Sequence, residues 1–322
     1  MTPTPIRVLL ATTWATTCGI AEHSALLVEA VTAADPAIEI LPEPSALDPA
    51  WVVENLHPGI DLLHVNAQAA LHSRWTPDAI RLVQSADCPV LVTWHDTGVP
   101  NSDQCKAVVD AADAAVVHEP CDDLPAEKTR YWRMGVPDWQ PVYDFETHRR
   151  PLLGSIGFPF PWKCFDQLAE VTARAGWDLL LITPTATPEQ ERQWKTRNPQ
   201  TSVCSTFLPR HLAVSWLSGC DATAFCYVCH NTGQSGAILQ GIAARKPVFA
   251  LSTCRQFRSL YLDPLGRQAI RWVETFEALE AGLRTVPIQR VDPATVALAE
   301  QESWTRLGVR YAGLYRSLAE AR

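Results

Sequence analysis

The sequence predicts an α/β protein made of two similar halves, each a parallel sheet with crossover helices, facing a central cleft. Three observations predict it. Short apolar runs alternate with helix-like stretches from residue 6 to 118, a break rich in proline and charge falls at 134–150, and the same alternation restarts at 152. A chain of 322 residues with 47% hydrophobic content is long enough for each half to bury its own core.

In the first half the spacing predicts strands at 6–11, 61–65, 89–94 and 114–118, with helices over 21–34, 76–84 and 105–112 between them. Each apolar run ends in polar residues at the carboxyl edge of its strand, the edge at which open parallel sheets bind ligands. The second half predicts strands at 152–157, 177–183, 222–227 and 247–251 and helices over 164–175, 212–218 and 235–244. An amphipathic helix is expected over 304–318. The expected domains are 1–148 and 149–302, with a terminal helix at about 303–322 returning to the first.

Composition excludes several classes. No apolar run approaches the roughly 18 residues needed to span a bilayer, and the N-terminus lacks a basic region followed by an apolar core, so a cytoplasmic protein without a transmembrane segment is expected. Ten scattered cysteines do not make the dense framework of a small secreted domain and read as free thiols. A net charge of −8 argues against non-specific adhesion to nucleic acid. Twelve tryptophans without helical or strand periodicity suggest that some line a cleft.

The chemistry-bearing segments sit at predicted strand ends. Asn231, Thr232, Gly233, Ser235, Gly236 and Ala237 form a polar, glycine-containing loop running into an apolar helix. Free amides at a helix start, with Gly233 and Gly236 permitting close approach, suit a diphosphate; an ordinary N-cap is the alternative from the loop alone. Lys163 follows a strand and precedes a helix, where its cation can neutralise charge on a departing diphosphate. In the first half, Trp14, Gly19, Ile20 and Glu22 lie where the first strand meets the first helix, without a G-x-G-x-x-G fingerprint. His95 and Asp96 end another strand and are candidates to orient or deprotonate a hydroxyl, and His118 closes a third. Cys226, Cys229 and His230 match the spacing of covalent haem attachment, but no export signal accompanies them and no second pair completes a zinc site. No metal is expected.

Taken in order, these pieces resemble the GT-B glycosyltransferases, and more closely the retaining branch with sucrose synthases and bacterial mannosyl- and glucosyltransferases. The resemblance spans nearly the whole chain. It rests on Cys18 to His23, Thr93 to Thr97, Arg133 to Pro137, Pro161 to Asp166, Cys220-Asp221, Ser235 to Ala237 and Ala243 to Val248. It implies two Rossmann-like domains and a nucleoside diphosphate sugar as co-substrate, with no required cofactor or metal. It also implies that the Gly19-Ile20 loop faces donor phosphates and acceptor, that Lys163 and the Ser235 helix start hold the diphosphate, and that Phe207, Leu208 and Pro209 receive the nucleobase. His95 and Asp96 would line the sugar and acceptor side. Two glutamates usual in the family are replaced by Thr232 and Gln240; the Gln240 amide can still bond a ribose hydroxyl.

The expected reaction is transfer of a sugar to an acceptor hydroxyl with retention of configuration. Carbohydrates, lipids and small molecules are the ordinary acceptors. A hydroxylated base in DNA is another, with Arg130 to Arg133 and His148 to Arg150 interleaving cations and aromatics. A sugar-nucleotide epimerase and a non-catalytic sugar-nucleotide binder are the rival classes.

Overall fold

The structure, a computed structural model, describes residues 5–68, 74–96, 102–121, 123–140, 143, 151–229, 233–288 and 291–321. By its internal contacts the chain divides into two compact units. One comprises Met1–Gly135, Asn231–Gln234 and Trp304–Arg322; the other comprises Val136–His230 and Ser235–Ser303.

The first unit runs β1 (Ile6–Ala11), α1 (Gly19–Ala34), β2 (Ile38–Glu43), α2 (Pro49–Asn55), β3 (Leu62–Ala67), α3 (Pro77–Gln84), β4 (Val90–Trp94), α4 (Ser102–Ala111), β5 (Ala114–Val117) and β6 (Thr129–Tyr131). Its six strands are all parallel in the order β2-β1-β3-β4-β5-β6. The second unit runs β7 (Leu152–Ile156), α5 (Phe165–Ala175), β8 (Asp178–Ile182), α6 (Pro188–Arg197), β9 (Thr201–Cys204), α7 (Arg210–Gly219), β10 (Ala222–Phe225), α8 (Gly236–Ala243) and β11 (Val248–Leu251). It continues through α9 (Arg258–Leu262), α10 (Pro264–Ala269), β12 (Ile270–Val273), α11 (Phe276–Thr285) and α12 (Pro293–Gln301). Its parallel order, β12-β11-β10-β7-β8-β9, is the doubly wound arrangement in which strand order reverses between the first and fourth strands, here β7 and β10. Ligand chemistry in such a sheet belongs at the carboxyl ends of those two strands.

The interior strands are apolar because helices cover both faces: β3, β4, β7 and β8 are buried throughout. Helix starts follow local chemistry. Thr76 accepts from the Ala79 amide to cap α3, and Thr187 and Gln190 form a reciprocal capping box on α6.

The last helix, α13 (Trp304–Glu320), lies in the first unit. It contributes Trp304, Leu307, Tyr311, Ala312 and Tyr315 to a core shared with β1, β3, β4 and β5. Gly308 lets it approach α1: a Cβ there would collide with the Ala30 carbonyl oxygen. Its two buried tyrosine hydroxyls bond to the sheet. His64 on β3 bonds the Tyr315 hydroxyl at 2.7 Å and Thr93 on β4 at 2.8 Å, and Thr93 bonds the Tyr311 hydroxyl at 2.9 Å.

The start of the first helix changes one sequence expectation. The first helix begins at Gly19, so Gly19 and Ile20 are helical residues rather than loop. Trp75, Trp94, Trp177, Trp194 and Trp304 are buried and serve packing. All ten cysteines are free thiols. No helix among the described residues is long and apolar enough to cross a membrane.

Candidate functional site

In the second unit, β7 ends at Ile156 and the chain turns through Gly157, whose φ of +145° suits glycine. A Cβ there would meet Lys163 Cε and Nζ at 3.3 Å, so this glycine makes room for the lysine. Lys163 closes a short turn over Pro161–Lys163 and is buried, with 9% of its surface exposed. Its Nζ lies 3.5 Å from the centroid of the Tyr227 ring, just beyond the end of β10. Among the described residues it has no hydrogen bond and no carboxylate partner. Burial pushes the ammonium down to about 7, partly offset by Cys254 and Cys229. A buried cation held against a π face, without a counter-ion, at the point where strand order reverses, is arranged to receive an anion.

The start of α8 is beside it in chemistry. Ser235 occupies the N-cap position, but its side chain makes no capping bond and instead engages the Tyr227 hydroxyl. Ser235 is therefore not an ordinary N-cap, and among the described residues no side chain caps the first amides of α8 at Gly236 and Ala237. A Cβ at Gly236 would meet nothing within 4 Å. Gln240 lies one turn on, and its Oε1 is buried without a partner. Phe207, 39% exposed, and Leu208 lie between β9 and α7. Asn231 and Thr232 lie outside the described residues, as do Thr97 and His148 to Arg150.

In the first unit the carboxyl ends of β4 and β5 bring His95 and His118 together with His23 of α1. Ring centroids are 4.6 Å apart for His23 and His95, 4.9 Å for His95 and His118, and 5.2 Å for His23 and His118. His23 enters the sequence reading only within the Cys18 to His23 segment and without a site role, because its place beside His95 and His118 depends on β4 and β5 being set against α1. Asn66, at the end of β3, accepts from His95 Nε2 at 2.7 Å, donates to Ser24 Oγ at 2.6 Å and faces His23 Nδ1 at 3.3 Å. His118 Nδ1 donates to the Trp132 carbonyl at 2.7 Å. Burial holds His118 down at about 4, the Trp132 bond pulling the other way, and holds His23 well below its ordinary value with His118 and His64 adding to the effect. His23 and His118 are therefore neutral at pH 7.

Asp96 is half-buried, and burial raises its carboxyl against an opposing bond from Gln68. Gly233 belongs to this unit too. A Cβ there would run into the His95 carbonyl oxygen and come within 3.0 Å of Asp96 Oδ1, so the loop reaches His95 and Asp96 through glycine backbone. Next to it, Gln234 accepts from the Met134 amide at 2.7 Å. Gly19 and Glu22 sit in the first turn of α1, Gly19 exposed and Glu22 half-buried; Trp14 is half-buried in the turn before it, and Ile20 is buried.

No protein-family model matches the sequence, and no curated protein matches it. Solved structures do. HepE of Anabaena, described in complex with UDP-glucose, superposes with a TM-score of 0.64 at 14% identity, covering 97% of this chain and 99% of that one. AviGT4, a glycosyltransferase involved in avilamycin A biosynthesis, gives a TM-score of 0.62 at 15% identity over 99% of both chains. The trehalose-6-phosphate synthase OtsA gives 0.66 at 8% identity, covering 97% of this chain and 99% of that one. Across two sheets and nearly the full chain, the fold is that of the GT-B glycosyltransferases.

Proposed function

We propose that the protein is a glycosyltransferase that moves a sugar from a nucleoside diphosphate sugar to an acceptor hydroxyl, with retention of configuration and no metal at the diphosphate. The observation that carries this reading is Lys163: a buried ammonium over Tyr227, without a described counter-ion, at the carboxyl edge where strand order reverses. The uncapped amides of α8 supply further donors, and together they do what a divalent cation does elsewhere, stabilising charge as the diphosphate leaves.

In this reading the Gln240 side chain takes a ribose hydroxyl, and the backbone around Phe207 and Leu208 takes the base. Gly19 and Ile20 are assigned to donor binding in this reading, and Trp14, Glu22 and His118 to the acceptor side. His95 and Asp96 are assigned to the sugar and acceptor side, with the Asp96 carboxylate as the group that orients the incoming hydroxyl. The bond from the anomeric carbon to the diphosphate oxygen breaks on the face where the acceptor oxygen bonds, and the acceptor proton passes to the departing diphosphate. Carbohydrate, lipid or small-molecule acceptors suit an acidic chain better than DNA. The ten free thiols fit work in the reducing cytoplasm.

Product analysis tests the reading. Incubation with a donor panel and candidate acceptors is expected to release nucleoside diphosphate only when acceptor is present, and the product linkage keeps the donor's anomeric configuration. Inverted product contradicts retention. Interconversion of the donor without acceptor makes the protein an epimerase, and binding without turnover makes it a sugar-nucleotide binder.

A further inference from the structure

We infer that His23, His95 and His118 form a binding site for one divalent transition-metal ion of the zinc class. Each offers one ring nitrogen, and these atoms all lie within 4.8 Å of one another. All three side chains are buried, with exposures of 5%, 8% and 1%. Two of the nitrogens, His23 Nε2 and His118 Nε2, are buried without any hydrogen-bond partner. An unmade bond at a buried polar atom costs about 1–3 kcal/mol, so two aimed into one cluster of imidazoles call for an occupant.

The surrounding bonds prepare the rings as ligands. The Trp132 carbonyl fixes the proton of His118 on Nδ1 and leaves the lone pair on the unpartnered Nε2. Ser24 donates to the Ile20 carbonyl, so the Asn66 atom facing Ser24 is its amide nitrogen, and its oxygen faces His95 Nε2. That fixes the His95 proton on Nε2 and its lone pair on Nδ1. A carbonyl or amide oxygen behind a ligating imidazole is the usual support of a metal site. His23 is the ring that must adjust. Ligation through Nε2 moves its proton to Nδ1 and gives up the 3.3 Å contact with Asn66, the longest bond in the chain of partners.

Closing the nitrogens from a ceiling of 4.8 Å to the ~3.3 Å set by Zn–N bonds of ~2.0–2.1 Å in tetrahedral geometry moves each ring by less than about 1 Å. Three neutral imidazoles favour zinc, cobalt, nickel or copper over magnesium or calcium, which want oxygen. Three protein ligands leave a fourth position to a water or a hydroxyl. The inference does not depend on glycosyl transfer: it concerns metal content and spectra, and the diphosphate reading stands on Lys163.

The test titrates the metal-free full chain with Co²⁺ as a visible substitute for Zn²⁺. We expect one Co²⁺ per chain, intense ligand-field bands of tetrahedral coordination, and displacement by Zn²⁺. His118→Gln and His23→Gln are each expected to weaken binding by more than about 100-fold, beyond the ~10–100-fold cost of losing only a supporting partner. His211→Gln, at an exposed histidine, leaves it unchanged. Circular dichroism identifies folded variants, and wild-type stoichiometry decides if a variant does not fold. The inference is overturned if the wild type binds no stoichiometric Co²⁺, if the spectrum carries thiolate charge transfer, or if folded His118→Gln binds as tightly as wild type.

Discussion

Lys163 shows how position turns an ordinary side chain into a chemical one. Its ammonium is pushed down to about 7, and an anion bound beside it pulls the proton back on. Affinity for a nucleoside diphosphate should be independent of this group below pH 7 and fall by up to tenfold per unit above it. Tyr227, Cys229 and Cys254 are the other titratable groups facing it. Calorimetric titrations from pH 6 to 9 check the slope, and a flat profile contradicts it. Lys163 was legible as a cation at a strand end; that it is buried over Tyr227 was not, because the aromatic comes from a segment far along the chain.

His64 gives the opposite sign of consequence. Burial lowers it from 6.5 to about 3, with His118 adding to the effect, so the unfolded chain takes up a proton that the fold refuses. Stability is then full above pH 6.5 and falls by up to about 1.4 kcal/mol per unit as the pH drops towards 3. Urea unfolding at pH 7 and pH 5 should show the loss, and His64→Gln should reduce the proton uptake on unfolding by about one. Equal slopes in both proteins contradict this role. Nothing in the sequence marks His64, whose partner Tyr315 arrives from the last helix, as does Tyr311, which bonds Thr93, the other partner of His64.

At the scale of elements, that helix carries a sharp internal comparison. Gly308→Ala drives a Cβ into the Ala30 carbonyl of α1 and should cost about 1–3 kcal/mol. Gly313→Ala meets nothing within 4 Å and should be neutral or stabilising by up to about 1 kcal/mol through helix propensity. Thermal unfolding of the two variants checks the pair, and equal shifts contradict close packing of α13 on α1.

The strands divide just as clearly. The eight that the apolar runs reveal, β1, β3, β4, β5, β7, β8, β10 and β11, are the interior strands of the two sheets. The four that they miss, β2, β6, β9 and β12, are the sheet edges. Their burial is partial, as in Thr-Arg-Tyr of β6 or Ile-Arg-Trp-Val of β12. A strand covered on both faces writes a continuous apolar run, whereas an edge strand mixes in charge and polar residues and reads as loop. Helix α6 escaped for the related reason that only Trp194 is buried in an otherwise polar stretch.

For the whole molecule, fold class followed from alternation, but strand order did not. That order matters because the reversal between β7 and β10 is what brings Lys163, Tyr227 and the start of α8 to one edge of one sheet. The candidate site in the second unit is thus a product of topology acting on residues scattered from 157 to 240. The histidine cluster of the first unit arises in the same way from β4, β5 and α1.

The most direct test is calorimetric titration of the full chain, without divalent metal, with nucleoside diphosphate sugars carrying uridine, guanosine, adenosine and thymidine. Saturable one-to-one binding of at least one donor is predicted, weakened in Lys163→Ala by on the order of 10²-fold and unchanged in Lys195→Ala, at an exposed lysine of α6. Failure of every donor to bind, or binding by Lys163→Ala as tight as wild type, contradicts the assignment of this edge to a diphosphate.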